Sequence, residues 1–573
     1  MRILMLTHAF NSLSQRLFVM LEEAGHELSV EFDINDDVTI EAVERFSPDL
    51  ILAPFLKRAI PESIWRQNLC LIIHPGIRGD RGATSLDWAI TNNETRWGVT
   101  CLQAAAEMDA GDIWSWVEFL MRDGRKSSLY RNEVTDAAVT AVSMALAKIE
   151  AGETPQPLDY ADENVRGQWR DPMRQAHRCI DWLQDSTQTV LRKIRAADSQ
   201  PGVRDTIGER EFFLYNAWPE LRLSGDPGAL IAQRDGAVCR ATTDGAVWIT
   251  HLALADPAPE EVSFKLPATQ LLGAMGDKLP AAPLAIEDVP AEVTWQEIQY
   301  REQNGVGYLH FNFYNGAAST EQCQRLLAAW RFAEQRPVKV LVLMGGEDFW
   351  CNGIHLNAIE AAASPADESW NNINAMDDLC EAIIRCDHKL SLAAMRGNAG
   401  AGGVFMALAA DQIYARNSVV MNPHYKSMGN LFGSEYWTYL LPARVGSNMA
   451  RQITANRLPI GAAKAKNLGL IDDAFGDSMQ GFEQEVRVRA ERLAASAEYE
   501  PLLQEKQQRR AEDEALKPLA DYRAQELDQM QLNFYGFDPS YHVARYHFVE
   551  KLAKSRTPPF LARHRRKGAV AVD

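Results

Sequence analysis

The sequence predicts a multidomain α/β protein in which two α/β regions flank a small β-rich one. Three observations carry this. Residues 1–120 alternate short apolar runs with helical patterns, residues 203–273 hold only short alternating runs, and strand–helix alternation returns after a proline-bearing stretch at 278–293. A chain of 573 residues also exceeds what one hydrophobic core serves.

In order, "RILMLT" (2–7) reads as a strand and "SLSQRLFVMLEEAG" (12–25) as a capped helix ending at a glycine. "ELSVEF", "DLILAPF" and "LCLIIH" follow as further strands. Such alternation gives a parallel sheet, and ligands bind beyond the carboxyl ends of its strands. His8 and His74 both fall there. The polar segment 151–173 reads as a connection. "CIDWLQDSTQTVLRKIRAA" (179–197) is predicted helical, and "EFFLYNAW" and "AVWITHLAL" are strands of the β-rich region. "KLPAAPLAIEDVPAEV" (278–293), with three prolines, is the clearest linker. Beyond it, "GYLHFNFY", "KVLVLMGG", "KLSLAAM" and "DQIYARNSVVM" read as strands and "TEQCQRLLAAWRFAEQ" as a helix. The predicted domains span 1–165, 175–280 and 292–562.

Lys and Arg number 59 against 77 Asp and Glu, a net charge of -18. This excludes broad binding to nucleic acid or to an anionic membrane, so any anionic ligand must be held locally. The eight cysteines are scattered without a C-x-x-C pair, which predicts reduced, mostly core thiols and no metal site. Only four consecutive apolar residues open the chain before a Thr and a His, too few for a signal peptide, and no run of eighteen apolar residues occurs. A cytoplasmic location is expected.

Two sets of residues carry chemistry. In the first, His74 opens the loop "HPGIRGDRG" and Asp109 lies in "AEMDAGD" some 35 residues on. A carboxylate beside an imidazole can hold and charge it for proton transfer. With 12 His and 77 acidic residues such pairs arise easily, and spacing alone favours a structural role. His8, Asn11 and Gln15 cluster at the first helix start, where ligand contact and helix capping by Ser12 or Ser14 both fit. Arg131 fits an anionic ligand or an exposed helix face.

In the second set, "EDFWCNGIHL" follows one strand and "MRGNAGAGGVFMALAAD" another. Two glycine-bearing turns can each direct a backbone N–H at one oxygen, an arrangement suited to a thioester enolate or oxyanion. The lysine-bearing Walker pattern and G-x-G-x-x-G are both absent. "PHYKSMGNLFGSEYW" offers Glu435 as a base and Tyr425 as an acid. The basic run "RHRRK" (563–567) fits contact with phosphates or a solvated tail.

The stretches "IIHPGIRGDRGATSLDWAI", "WGVTCLQAAAEMDAGDI", "CIDW" and "IRAA", in that order, resemble the folate-dependent formyltransferases, including the methionyl-tRNA type with its C-terminal β-rich domain. The resemblance spans about residues 1–275. It implies a Rossmann-like formyltransferase domain, a small β-rich (OB-like) domain, 10-formyltetrahydrofolate as formyl donor, and His74 and Asp109 as catalytic residues. Folate contacts would fall at His8, Asn11, Gln15 and Arg131. The family's Asn is replaced by Ile72, and loss of one such oxyanion donor costs about two to three orders of magnitude in rate.

The paired glycine turns, with "MARQITANRLPIGAAKAKNLGLID" and "FVEKLAKSRTPPFLARHR", resemble the crotonase (enoyl-CoA hydratase/isomerase) superfamily over about 295–562. This implies a crotonase-like α/β domain that binds a coenzyme A thioester, with the backbone N–H groups of Asn352 and Gly402 as oxyanion donors. Phe405 and His424 stand where the family's hydratases place carboxylates, so hydration is not expected. The combined halves resemble the HypX/HoxX family of NiFe-hydrogenase maturation proteins. The implied role is synthesis of the active-site carbon monoxide ligand, through formyl transfer to coenzyme A and decarbonylation of formyl-CoA, alongside partner maturation proteins. Formyl transfer paired with acyl-CoA hydration or isomerisation, and a non-catalytic one-carbon scaffold, are the alternatives.

Overall fold

The structure, a computed structural model, describes residues 1–566. Its first sheet has six strands, β1 (Arg2–Thr7), β2 (Glu27–Phe32), β3 (Leu50–Phe55), β4 (Cys70–His74), β5 (Arg96–Gln103) and β6 (Ile113–Leu120), in the order β2-β1-β3-β4-β5-β6. The first four pair in parallel, but β4–β5 and β5–β6 are antiparallel, which corrects the expectation of a wholly parallel sheet. The turn at 104–112 returns the chain directly as a hairpin, so no crossover helix separates β5 from β6. His8 and His74 stand at the carboxyl ends of β1 and β4, as expected.

Helix Ser12–Glu23 buries Leu13, Leu17, Phe18 and Leu21, one stripe at helical spacing. Its cap is neither Ser12 nor Ser14: the Asn11 carboxamide accepts the Ser14 N–H at 3.0 Å.

The second sheet is antiparallel, β7 (Val203–Ile207), β8 (Arg210–Glu220), β9 (Leu230–Arg234), β10 (Ala237–Ala241) and β11 (Ala246–Leu254), in the order β7-β8-β11-β10-β9, with β12 (Leu266–Pro267) on β11. The helix expected over 179–197 covers only Thr187–Ala197. Ser186 ends it by accepting the Thr189 N–H, and the preceding Asp181–Asp185 turn is closed by its own aspartates.

The third region holds a six-stranded sheet of β13 (Ile298–Gln303), β14 (Val306–Phe311), β15 (Val340–Gly345), β17 (Leu390–Met395), β19 (Gln412–Arg416) and β22 (Asp473–Phe475), in that order. A smaller sheet stands beside it, with β16 (Phe349–Cys351), β18 (Asn398–Gly400), β20 (Val420–Asn422) and β21 (Ile460–Gly461). The single strand expected over 411–421 is therefore two, β19 and β20 in different sheets, broken where the Val419 N–H bonds back to Arg416 O. Each glycine-bearing stretch named above carries a strand of the small sheet, with Gly353 following β16 and Gly402 following β18.

The C-terminal segment returns to the first domain, which corrects both readings of the basic run. His564 and Arg565 converge on the fully buried Glu31 of β2, at 3.0 and 2.7 Å, with the Thr557 hydroxyl also bonded to it. Arg563 pairs with Glu22. Lys567 lies outside the described residues. Burial raises the Glu31 carboxyl, but hydrogen bonds from His564, Thr557 and Arg565 outweigh it and hold the group below its ordinary value. The resulting stability is present above the unfolded carboxylate range and is lost as pH falls through the folded value. Glu31→Gln leaves Arg565 buried against a neutral partner and is expected to cost about 3 kcal/mol, read as a lowered Tm.

Candidate active site

His74 ends β4 and is buried between two carboxylates. Its Nδ1 stands 3.4 Å from Asp109 Oδ2, and its Nε2 3.3 Å from Asp80 Oδ2. Asp109 sits at φ +53°, in the left-handed region, and accepts the Gly82 N–H at 3.2 Å. That turn aims its carboxylate back at the imidazole. Asp80, which sequence reasoning missed, is fully buried and bonded to Arg170 at 2.6 Å. Its signal was present in the loop "HPGIRGDRG" itself, six residues from His74. Ile72 lines the cavity above the sheet, so the place of the formyltransferase Asn is apolar.

The other N-terminal residues separate. Asn11, Gln15 and Arg131 line the cavity; His8 does not. The His8 imidazole is taken by Asp33 at 2.7 Å, which corrects the expectation that it meets folate. Gln15 spans the two halves, bonding Phe10 O at 2.8 Å and accepting from Asn422 Nδ2 at 2.9 Å. Arg131 is on no exposed face: its guanidinium lies over the Phe349 ring and 3.6 Å from Asp348, which Arg125 holds at 2.6 Å.

In the third region, Gly402 opens the helix Gly402–Leu408, and its N–H, a first-turn amide, has no acceptor within the described residues. Asn352 is different. Its backbone N–H is committed to Gly316 O at 2.7 Å and its side-chain amide to Asn315 O at 2.8 Å, so the expected pair of oxyanion amides reduces to Gly402. The cause is local: Asn315 and Gly316 take positive φ and turn the Gly316 carbonyl onto Asn352.

Glu435 packs directly on Gly402. A β-carbon on Gly402 would overlap the Glu435 carboxyl group, so only glycine leaves it room. The Tyr425 hydroxyl donates to Glu435 Oε2 at 2.5 Å, and the Tyr425 ring stacks on Phe405 at 5.4 Å between centroids. Phe405 thus fixes the phenol. Glu435 is 1 % exposed. Burial and then the charge of Asp377 raise its carboxyl to about 8. Asp377 rises to about 7 and Glu526 to about 8, both chiefly through burial. Neither acid stood out in the sequence. His424 also lines the cavity; burial lowers its imidazole to about 4, and its Nδ1 has no hydrogen-bond partner among the described residues.

One continuous cavity of about 2660 Å³ is lined by both constellations, by His74 and Asp109 at one end and by Gly402, Tyr425 and Glu435 at the other. Lys57, Arg58, Lys551, Lys554 and Arg556 are also in its wall. An acidic chain thus keeps a cationic lining where an anionic ligand would need one. Phosphates and a glutamate tail suit those cations, while the unpartnered Gly402 N–H suits a carbonyl oxygen. No described helix is long and apolar enough to cross a membrane.

Comparison with known proteins agrees with both halves. Residues 172–264 match the formyl transferase C-terminal domain, and 301–556 match the enoyl-CoA hydratase/isomerase family. A methionyl-tRNA formyltransferase of Thermotoga neapolitana is 25% identical over 250 residues, covering 43% of this chain and 78% of the relative. The hydrogenase maturation factor HoxX of Bradyrhizobium diazoefficiens is 53% identical over 566 residues, covering 99% of this chain and 97% of that protein. The crystal structure of HypX from Aquifex aeolicus in complex with tetrahydrofolic acid superposes with a TM-score of 0.96 at 50% identity, covering all of both chains. With both domain types in one chain and this identity along its whole length, the protein belongs to the HypX/HoxX family of hydrogenase maturation factors.

Proposed function

We propose that the protein makes carbon monoxide from 10-formyltetrahydrofolate by passing the formyl group to coenzyme A and then decarbonylating formyl-CoA. The observation that carries this is the single cavity running from His74 and Asp109 to Gly402, Tyr425 and Glu435. The division at 1–165, 175–280 and 292–562 belongs to the same reading, with one half-reaction on each α/β domain. Folate and coenzyme A are substrates here, and partner maturation proteins receive the product.

At the first site, Asp109, which lines the cavity, takes the thiol proton as sulfur attacks the formyl carbon, and returns it to the folate nitrogen that leaves. His74, held between Asp109 and Asp80, keeps that carboxylate in place. Asn11, Gln15 and Arg131 are the proposed folate-side contacts, and the cations Lys551, Lys554 and Arg556 the proposed phosphate contacts.

At the second site, Gly402 N–H polarises the thioester carbonyl, with Asn352 serving through its side chain to shape the turn rather than as a backbone donor. Glu435 removes the formyl hydrogen as a proton. The carbon–sulfur bond breaks with its electron pair left on sulfur, and carbon monoxide departs. Tyr425 gives its hydroxyl proton to the thiolate and recovers one from Glu435 across the 2.5 Å hydrogen bond. Atoms balance as formyl-CoA going to carbon monoxide and free coenzyme A.

Glu435 must be ionised to act as the base, and its carboxyl stands at about 8. Carbon monoxide release from formyl-CoA, followed by haem-trap absorbance, is therefore expected to rise with pH and level off above about 8. A rate that falls across that interval would contradict Glu435 as the base. The hydration alternative is disfavoured because Phe405 leaves no second carboxylate; crotonyl-CoA is expected to remain unhydrated.

A further inference from the structure

The loop that carries Glu435 is held by two acids from helices remote in sequence. Asp377, on helix Pro365–Arg385, accepts the Glu435 backbone N–H at 2.7 Å through Oδ1 and the Ser434 hydroxyl at 2.8 Å through Oδ2. Glu526, on helix Leu519–Tyr535, accepts the Tyr436 and Thr438 N–H groups at 2.9 and 2.8 Å and the Thr438 hydroxyl at 2.5 Å. Both acids are fully buried.

What they hold is strained. Glu435 and Tyr436 both adopt φ +59°, two successive non-glycine residues in the left-handed region. Such a backbone persists only where its surroundings over-determine it. Two buried carboxylates are a poor way to gain stability, since apolar groups of similar volume commonly do as well or better. Among the described residues one cation approaches Asp377, Arg523 at 3.8 Å.

We infer that Asp377 is a positioning residue for the second half-reaction, pinning the Glu435 backbone so that its carboxylate stays against Gly402. This rests on the reading of Glu435 given above. Asp377 also acts through charge, because a neighbouring anion makes the Glu435 carboxylate a stronger base. The other titratable groups facing Glu435 are Tyr425, Glu526 and the thiols of Cys323, Cys351 and Cys380.

Two variants separate geometry from charge, assayed on the full chain as carbon monoxide release from formyl-CoA. In Asp377→Asn the amide oxygen can still accept the Glu435 N–H while its NH2 donates to Ser434, whose hydroxyl turns to Glu526, 3.3 Å away. The loop survives and the charge goes. The pH profile is expected to move down by about one pH unit, a tenfold weaker base, with KM within about twofold of wild type. Asp377→Ala loses the clamp as well, and kcat is expected to fall about 100-fold at similar KM. An unmoved profile for Asp377→Asn overturns the charge role, and an unchanged kcat in a folded Asp377→Ala overturns the positioning role; where Asp377→Ala does not fold, Asp377→Ser, which is too short to reach the Glu435 N–H, takes its place. Failure of wild type to release carbon monoxide from formyl-CoA would instead overturn the reading of Glu435 beneath it.

Discussion

Glu435→Gln is expected to lower carbon monoxide release by about two to four orders of magnitude, the usual contribution of a positioned proton acceptor. Gln keeps the size of the side chain and can accept the Tyr425 hydroxyl through its amide oxygen, so the packing against Gly402 survives. What is lost is the group that takes the formyl proton. Formyl transfer proceeds at the other end of the cavity, so formyl-CoA is expected to accumulate and to be seen by mass spectrometry of the quenched reaction. Tyr425→Phe tests the companion role: it keeps the ring stacked on Phe405 and removes only the hydroxyl. Equal carbon monoxide release by Glu435→Gln and wild type would exclude Glu435 as the base.

The second large effect is expected at the opposite end. His74→Ala removes the imidazole held between Asp80 and Asp109, and tetrahydrofolate formation should fall by about two to four orders of magnitude. Carbon monoxide release from formyl-CoA supplied directly should stay at the wild-type rate. The Glu435 and His74 variants thus have reciprocal signatures, each sparing the other half-reaction. Loss of both activities in either variant would mean that one site serves both steps.

Much of this arrangement was legible in the sequence where residues act from the ends of strands. His74 closes an apolar run, so its place above the sheet followed directly from the strand pattern, and Asp109 lay in a glycine-bearing turn on the neighbouring connection. Glu435 and Tyr425 were visible through departure from a motif: with Phe405 at the expected carboxylate position, the next glycine-bearing loop supplied an acid and a phenol. Their burial was not visible, because a loop rich in Gly, Ser and polar residues resembles a solvated one.

Other features depended on contacts far apart in the chain. Asp377 lies 58 residues before Glu435, and Glu526 is 90 residues from Tyr436, each inside an ordinary amphipathic helix. Nothing in their spacing distinguishes them from solvated helix acids; only the packing of two helices over one loop does. The same holds for Glu31 and the basic run, separated by more than 500 residues. The loss of the Asn352 amide to Gly316 is a matter of backbone torsion, set by the positive φ of Asn315, which composition does not specify. His8 was misread for a related reason: a histidine at a strand end suits a ligand, yet a buried aspartate, Asp33, reached it first.

In the proposed function the continuous cavity joins these residues into one pathway, along which the formyl group reaches the second site on the sulfur that received it. The most direct measurement supplies 10-formyltetrahydrofolate labelled at the formyl carbon, with and without coenzyme A, and follows both tetrahydrofolate and labelled carbon monoxide. Labelled carbon monoxide in step with tetrahydrofolate, only when coenzyme A is present, is the expected result. Tetrahydrofolate produced with coenzyme A but without carbon monoxide, or carbon monoxide released when coenzyme A is rigorously absent, would contradict it.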